Sequence, residues 1–203
     1  MNFGTWCRQK EITADKTVLL SIGTDGLGRS ATLLAVNLVE PDTKVFHNHF
    51  VSGADIDAVS SIIGIDRAQY DEERKAPEDV LKLVQTEVAA RPYVVSYAHK
   101  FASPFLGNSL PGVFPSSRFL DVQRLASRIV SSEPVEFSKF DSWTQLCFWT
   151  QCKQIYDEAP QKLDALFRLA TGTTEDQLFG DGIPQLYMRP RQLYVIWQWI
   201  TSV

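Results

Sequence analysis

The sequence predicts an α/β fold: a five-stranded mixed sheet flanked by helices, with an extended helical C-terminal region. Two observations carry this expectation. Three short apolar runs follow one another between residues 17 and 51, separated by turn residues, which is the pattern of an antiparallel meander. Helical periodicity then alternates with two further apolar runs and fills the C-terminal half.

Residues 17–22 (TVLLSI) read as a buried strand, closed by Gly26 and Gly28. Residues 31–39 form a second strand, ended by Glu40-Pro41-Asp42, and residues 44–51 a third, ended by Gly53. Asp55 is placed to cap a helix that Gly64 stops after Ile63. Gly64-Ile65-Asp66 opens another helical turn. Pro77 suits a first helical position, and Glu78 and Asp79 favour the positive end of the helix dipole. Val80, Leu81, Val84 and Val88 give that helix one apolar face. A buried strand is expected over 93–97, a short helix over 101–106, and a fifth strand over 118–121 running into a helix near 122–130. Residues 131–139 read as a loop. Asp141 is expected to cap a helix to about residue 156, Pro160 to open the next, stopped by Gly172, and the last helix to cover 190–201. The chain reads as one domain over 1–203, with 1–16 as an N-terminal extension and 131–159 as a helical insertion.

The 203 residues are 44% hydrophobic and 22% charged, a globular balance with a sizeable core. Net charge is −4. Non-specific nucleic-acid binders are usually basic, because neutralised phosphates supply their affinity. Cys7, Cys147 and Cys152 are too scattered for a disulfide framework or a zinc knuckle, so a reducing cytoplasm is the expected location. No apolar run approaches the ~20 residues of a membrane span, and residues 1–16 lack the apolar core of a secretory signal.

Two stretches carry the functional signal: Val18-Leu19-Leu20-Ser21-Ile22-Gly23-Thr24-Asp25-Gly26-Leu27, and residues 94–106 (VVSYAHKFASPFL). The first resembles the opening motif of the DnaQ-like (DEDD) 3′–5′ exonucleases, three apolar residues followed by Asp-x-Glu-Thr-x-Gly. Ser21 stands at the Asp position and Gly23 at the Glu position, while Thr24 and Gly26 fit. The second resembles that family's next motif: Phe101, Phe105 and Leu106 fit, and Ala102 stands where an Asp belongs. Gly64-Ile65-Asp66, Ala76-Pro77, Asp121-Val122 with Leu125-Ala126, and Leu163-x-x-Leu166 with Gly172 resemble lesser landmarks in the same order. The family's last motif, a His and an Asp on the final helix, has no counterpart, since residues 182–203 contain no His, Asp or Glu. The resemblance implies an RNase H-like sheet whose metal-binding carboxylates are missing.

Such nucleases work with two divalent ions ~4 Å apart, one generating hydroxide and the other steadying the leaving oxygen. Mg²⁺ and Mn²⁺ need oxygen ligands, chiefly carboxylates. Residues two apart on a strand share a face, so an Asp and a Glu there would aim at one site. Ser21, Gly23 and Ala102 offer a neutral hydroxyl, no side chain and a methyl group. The expected function is therefore an inactive exonuclease homologue that needs no cofactor. It would serve as a binding module for a nucleic-acid end or for another protein. Thr24, Lys100, Arg189 and Arg191 are the candidate contacts to single-stranded nucleic acid, bound weakly. The alternative is a divergent Mg²⁺- or Mn²⁺-dependent exonuclease that draws its acids from Asp25 and Asp121, which otherwise read as turn and strand-end acids. No membrane partner is expected.

Other patterns are weaker. His47 and His49 share a strand face and could bind a metal, although half-exposed strand histidines are the commoner outcome. His99 stands two residues past the family's His position. Ser21 and Ser103 lack a nucleophile setting, and Asp25-Gly26-Leu27-Gly28 is not a phosphate loop. Trp143, Phe148, Trp149, Trp197 and Trp199 are expected in the core, with a partner surface as the alternative.

Overall fold

A computed structural model describes residues 1–26, 30–107, 118–130, 135–152 and 162–202, without the side chains of His99, Lys100 and Gly107. The turn expected at Gly28, the helix start at Pro160 and the helical turn expected up to residue 156 lie outside these residues.

The sheet is mixed and five-stranded, in the order β3-β2-β1-β4-β5. The strands are β1 (Thr17–Thr24), β2 (Leu33–Glu40), β3 (Val45–Phe50), β4 (Tyr93–Ser96) and β5 (Phe119–Asp121). The first three form the expected antiparallel meander; β4 pairs parallel with β1, and β5 parallel with β4. Thus β1 is central, and β1, β4 and β5 end on the same side.

Alternation along β1 divides the core. Val18, Leu20 and Ile22 join Val36, Leu38 and Val94 on one face. There they meet Val80, Val84 and Val88 of α4 (Pro77–Ala90) and Ala102 and Leu106 of α5 (His99–Gly107). Leu19, Val39, Val95 and Leu120 face the larger cluster, to which the C-terminal helices contribute. These are α6 (Val122–Ile129), α7 (Trp143–Cys152), α8 (Leu163–Thr171) and α10 (Gln185–Ser202). A third cluster packs α2 (Ile56–Ile63) and α3 (Arg67–Glu73) on Leu34, Ala35 and Phe50. The short α9 (Glu175–Phe179) sits between α8 and α10 in sequence and carries a complete capping box at Thr174 and Gln177. Among the described residues no helix is long and apolar enough to cross a membrane.

Local signals placed several elements as expected. The Asp55 side chain accepts from the Ala58 amide, Gly64 takes a left-handed conformation (φ 72°) after Ile63, and Pro77 opens α4. Four details differ from the sequence reading. Residues 1–16 contain a helix, α1 (Phe3–Gln9), capped by Asn2, whose Phe3, Trp6 and Cys7 enter the main core. The cap of α7 is Ser142, which accepts from the Gln145 amide, while Asp141 donates its own amide to the Gln145 side chain. Trp143 and Trp197 are buried, but Trp149 and Trp199 are only half-buried and Phe148 is 68% exposed. Finally, α10 begins at Gln185 and carries Pro190 in its interior.

Arg91 ties the N-terminal segment to the sheet. Its guanidinium donates to the carbonyls of Ala14, Asp15 and Thr17 and pairs with Glu40 (2.9 Å) and Asp42 (2.8 Å). The other tie is close contact between α1 and α10: a methyl group built on Gly4 would overlap the Thr201 carbonyl. Overpacking of this kind costs about 1–3 kcal/mol. Gly4→Ala should lower the urea midpoint by a corresponding amount with little change in slope, and an unchanged midpoint would mean that α1 is not docked on α10.

Candidate functional site

In open α/β sheets ligands collect beyond the carboxyl ends of parallel strands. That end of β1 carries Ser21, Gly23 and Thr24. Ser21 and Gly23 lie on the side that α10 covers, with Asn37 opposite Ser21 and Ala35 opposite Gly23 in the ladder.

A helix-interior proline explains how α10 sits there. Pro190 has no amide hydrogen, so the carbonyl four residues earlier loses its helical partner. That carbonyl belongs to Leu186, and the buried Asn37 side chain donates to it at 3.4 Å. The same Asn37 amide reaches the Ser21 hydroxyl at 3.5 Å. Leu186 itself, 2% exposed, lies directly over Gly23; a Cβ built on Gly23 would come within 2.5 Å of Leu186 Cδ1. The position where the family resemblance expects a ligating carboxylate is filled by a leucine methyl group.

Ala102 is buried on the opposite face of β1, in the cluster with Val18, Leu20 and Ile22, so Ser21 and Gly23 are separated from it by the sheet. Asp25 accepts the backbone amides of Thr32 (2.6 Å) and Asp55 (2.9 Å), bracing the turn after β1. Thr24 donates its hydroxyl to the Gly26 carbonyl. Asp121 is buried, caps α6 through the Arg124 amide and faces the Arg124 guanidinium at 3.6 Å. Burial, and then the Asp121 and Asp164 carboxylates, push the Tyr97 phenol well above its ordinary range, with Gln123 and Arg189 opposing. Tyr97 is therefore a neutral hydroxyl near pH 7, not a base.

Beside the first turns of α10 lies a cavity of about 200 Å³ lined by Asp164, Glu175, Asp176, Met188, Arg189 and Gln192, among others. Gln192, 2% exposed, gives its side-chain amide to Asp164 (3.0 Å) and Glu175 (2.7 Å). Three carboxylates against one guanidinium make this cavity unwelcoming to phosphate. Arg189 is exposed at its rim, whereas Arg191 donates to the Tyr187 carbonyl (2.7 Å) and stacks over Phe46. The Lys100 side chain is outside the description. Of the expected nucleic-acid contacts, Arg189 is exposed, while Thr24 and Arg191 are engaged within the fold.

No family model and no curated protein matches this chain. Leu186, Asn37 and Gln192 carry the strand-end geometry, and no motif in the chain points to them. The one local signal was Pro190, which marks Leu186 as a carbonyl in need of a donor once the helix is known to start earlier. His47 and His49 lie on β3 with rings stacked at 6.3 Å.

Gly23→Ala should destabilise the chain by about 1–3 kcal/mol through collision with Leu186. Combining it with Leu186→Ala should cost less than the sum of the single changes by at least ~0.5 kcal/mol, because the clash partner is gone. Additive costs in urea unfolding would mean that the two residues do not touch.

Proposed function

We propose that this protein is a catalytically inactive relative of the DnaQ-like exonucleases that works as a protein-interaction module. The strand order, with an antiparallel meander joined to two parallel strands, supports the RNase H-like part of this reading. The observation that carries the inactive part is the Leu186 side chain packed on Gly23. Two-metal hydrolysis needs carboxylates converging on a pair of ions. Here the first-motif positions are a hydroxyl and a glycine under a leucine, and Ala102 belongs to the other face. The acids that would rescue activity are engaged elsewhere: Asp25 holds two backbone amides, and Asp121 holds a helix cap and faces Arg124.

Between the two binding roles, electrostatics favours a protein partner over a nucleic-acid end. Net charge is −4, the cavity beside α10 is acidic, and Arg191 is folded onto Phe46 and the Tyr187 carbonyl. Phosphate contacts supply most non-specific nucleic-acid affinity, and of the expected contacts Arg191 is already engaged within the fold.

End-labelled single-stranded DNA and RNA incubated with pure protein and Mn²⁺ should remain full length. In fluorescence anisotropy, a short labelled strand should bind no tighter than about 10⁻⁴ M at physiological salt, the weak end of non-specific binding. Any low-salt binding should show a log–log slope no steeper than about −2, corresponding to three phosphates on a single strand. Shortening that co-purifies with the protein and stops in EDTA would overturn the inactive reading. Micromolar binding lost in Arg189→Ala would instead make nucleic acid the ligand.

A further inference from the structure

We propose that Glu40, His47 and Glu87 form a binding site for one divalent ion of the zinc type, at the opposite end of the sheet from Gly23. Glu40 ends β2, His47 is on β3, and Glu87 is on the third turn of α4. One potential ligand atom from each lies within 4.8 Å of the other two, and all three residues are half-buried. Three elements that are distant in sequence thus converge on one point, and an imidazole is among the donors.

The geometry is close to what zinc requires. His47 Nε2 lies 3.1 Å from Glu40 Oε1. Zinc–nitrogen and zinc–oxygen bonds of about 2.0–2.2 Å place neighbouring ligands of a tetrahedral site about 3.3 Å apart. An ion can therefore enter between these two atoms with little movement, and a rotamer adjustment of Glu87 completes the third bond. The fourth position is left for water, as in open zinc sites.

The two oxygens of Glu40 have separate tasks. Oε1 faces His47, while Oε2 accepts from the Thr43 hydroxyl (2.8 Å) and from Arg91 (2.9 Å). Hydrogen bonds of this kind orient a ligating carboxylate and fix its reach. Arg91 also pairs with Asp42 at 2.8 Å, which offsets its repulsion of a cation. The two glutamates would neutralise the ion. The imidazole selects against Mg²⁺ and Ca²⁺, which prefer all-oxygen sites, and in favour of zinc, nickel or copper. A bound ion would fasten the β2–β3 hairpin to α4.

The test uses the full chain with any affinity tag removed, stripped with EDTA and exchanged into chelator-free buffer. Calorimetric titration with zinc chloride should show one ion per chain, and the melting temperature should rise with zinc. Co²⁺ in place of zinc should give the visible absorption of a tetrahedral site. His47→Gln and Glu87→Gln should each weaken zinc binding at least about tenfold while leaving the zinc-free melting temperature close to that of the parent. Both substitutions spare the Glu40–Arg91 pair, so the fold is expected to persist. Cys152→Ser, which removes the exposed thiol, should change nothing. Absence of zinc binding would overturn the proposal, leaving His47–Glu40 as a plain hydrogen-bonded pair. Binding that survives both His47→Gln and Glu87→Gln would overturn it equally, by locating the ion elsewhere.

Discussion

The seat of α10 on β1 governs what this fold can do. Its parts depend on one another: Pro190 withholds an amide, the Leu186 carbonyl is left without a helical donor, and Asn37 on β2 supplies one. The carbonyl is thereby drawn down to the sheet, and the Leu186 side chain lands on the only kind of residue that leaves room for it, a glycine. The central strand is closed at its carboxyl end by a helix side chain, at the place where a ligand would otherwise enter.

The closure is apolar in its middle but not at its margins. Asn37 Oδ1, next to Ser21 on the α10 side, is buried without a hydrogen-bond partner; so is Ser96 Oγ, on the opposite face of the sheet beside Leu20. Unsatisfied buried polar atoms cost about 1–3 kcal/mol each and are uncommon in native proteins. At Asn37 the cost accompanies a role that an apolar side chain could not fill, since its amide is the donor to the Leu186 carbonyl. The nearby cavity is also polar, yet it is dominated by Asp164, Glu175 and Asp176. Such a surface suits a basic side chain on a partner better than a phosphate backbone.

Where local chemistry sets an element, the sequence was readable. Asp55 and Gly64 bound α2, Pro77 opens α4, and the turns between residues 17 and 51 impose the meander. Elements settled by distant contacts were not. The helix α1 is short, without acidic residues in its first turn, and owes its stability to Phe3 and Trp6 packing in the main core; Trp6 also donates to the Phe140 carbonyl. Proline favours a first helical position, which points to Pro190 as a start, but tertiary contacts carry α10 back to Gln185. The site divides in the same way. The neutral character of Ser21, Gly23 and Ala102 was plain from the motif pattern. The separation of Ala102 from the other two, and the leucine that fills the gap, involve residues far apart in the chain, and no local pattern announces them.

The most direct measurement places a paramagnetic ion in solution with the isotope-labelled protein and follows the backbone amide signals as Mn²⁺ is added. With Leu186 seated on Gly23, the amides of Ser21, Gly23, Thr24 and Leu186 keep their intensities at stoichiometric Mn²⁺. Selective broadening of those four signals, saturating at one or two ions per chain, would contradict the closed, ligand-free strand end on which the functional reading rests.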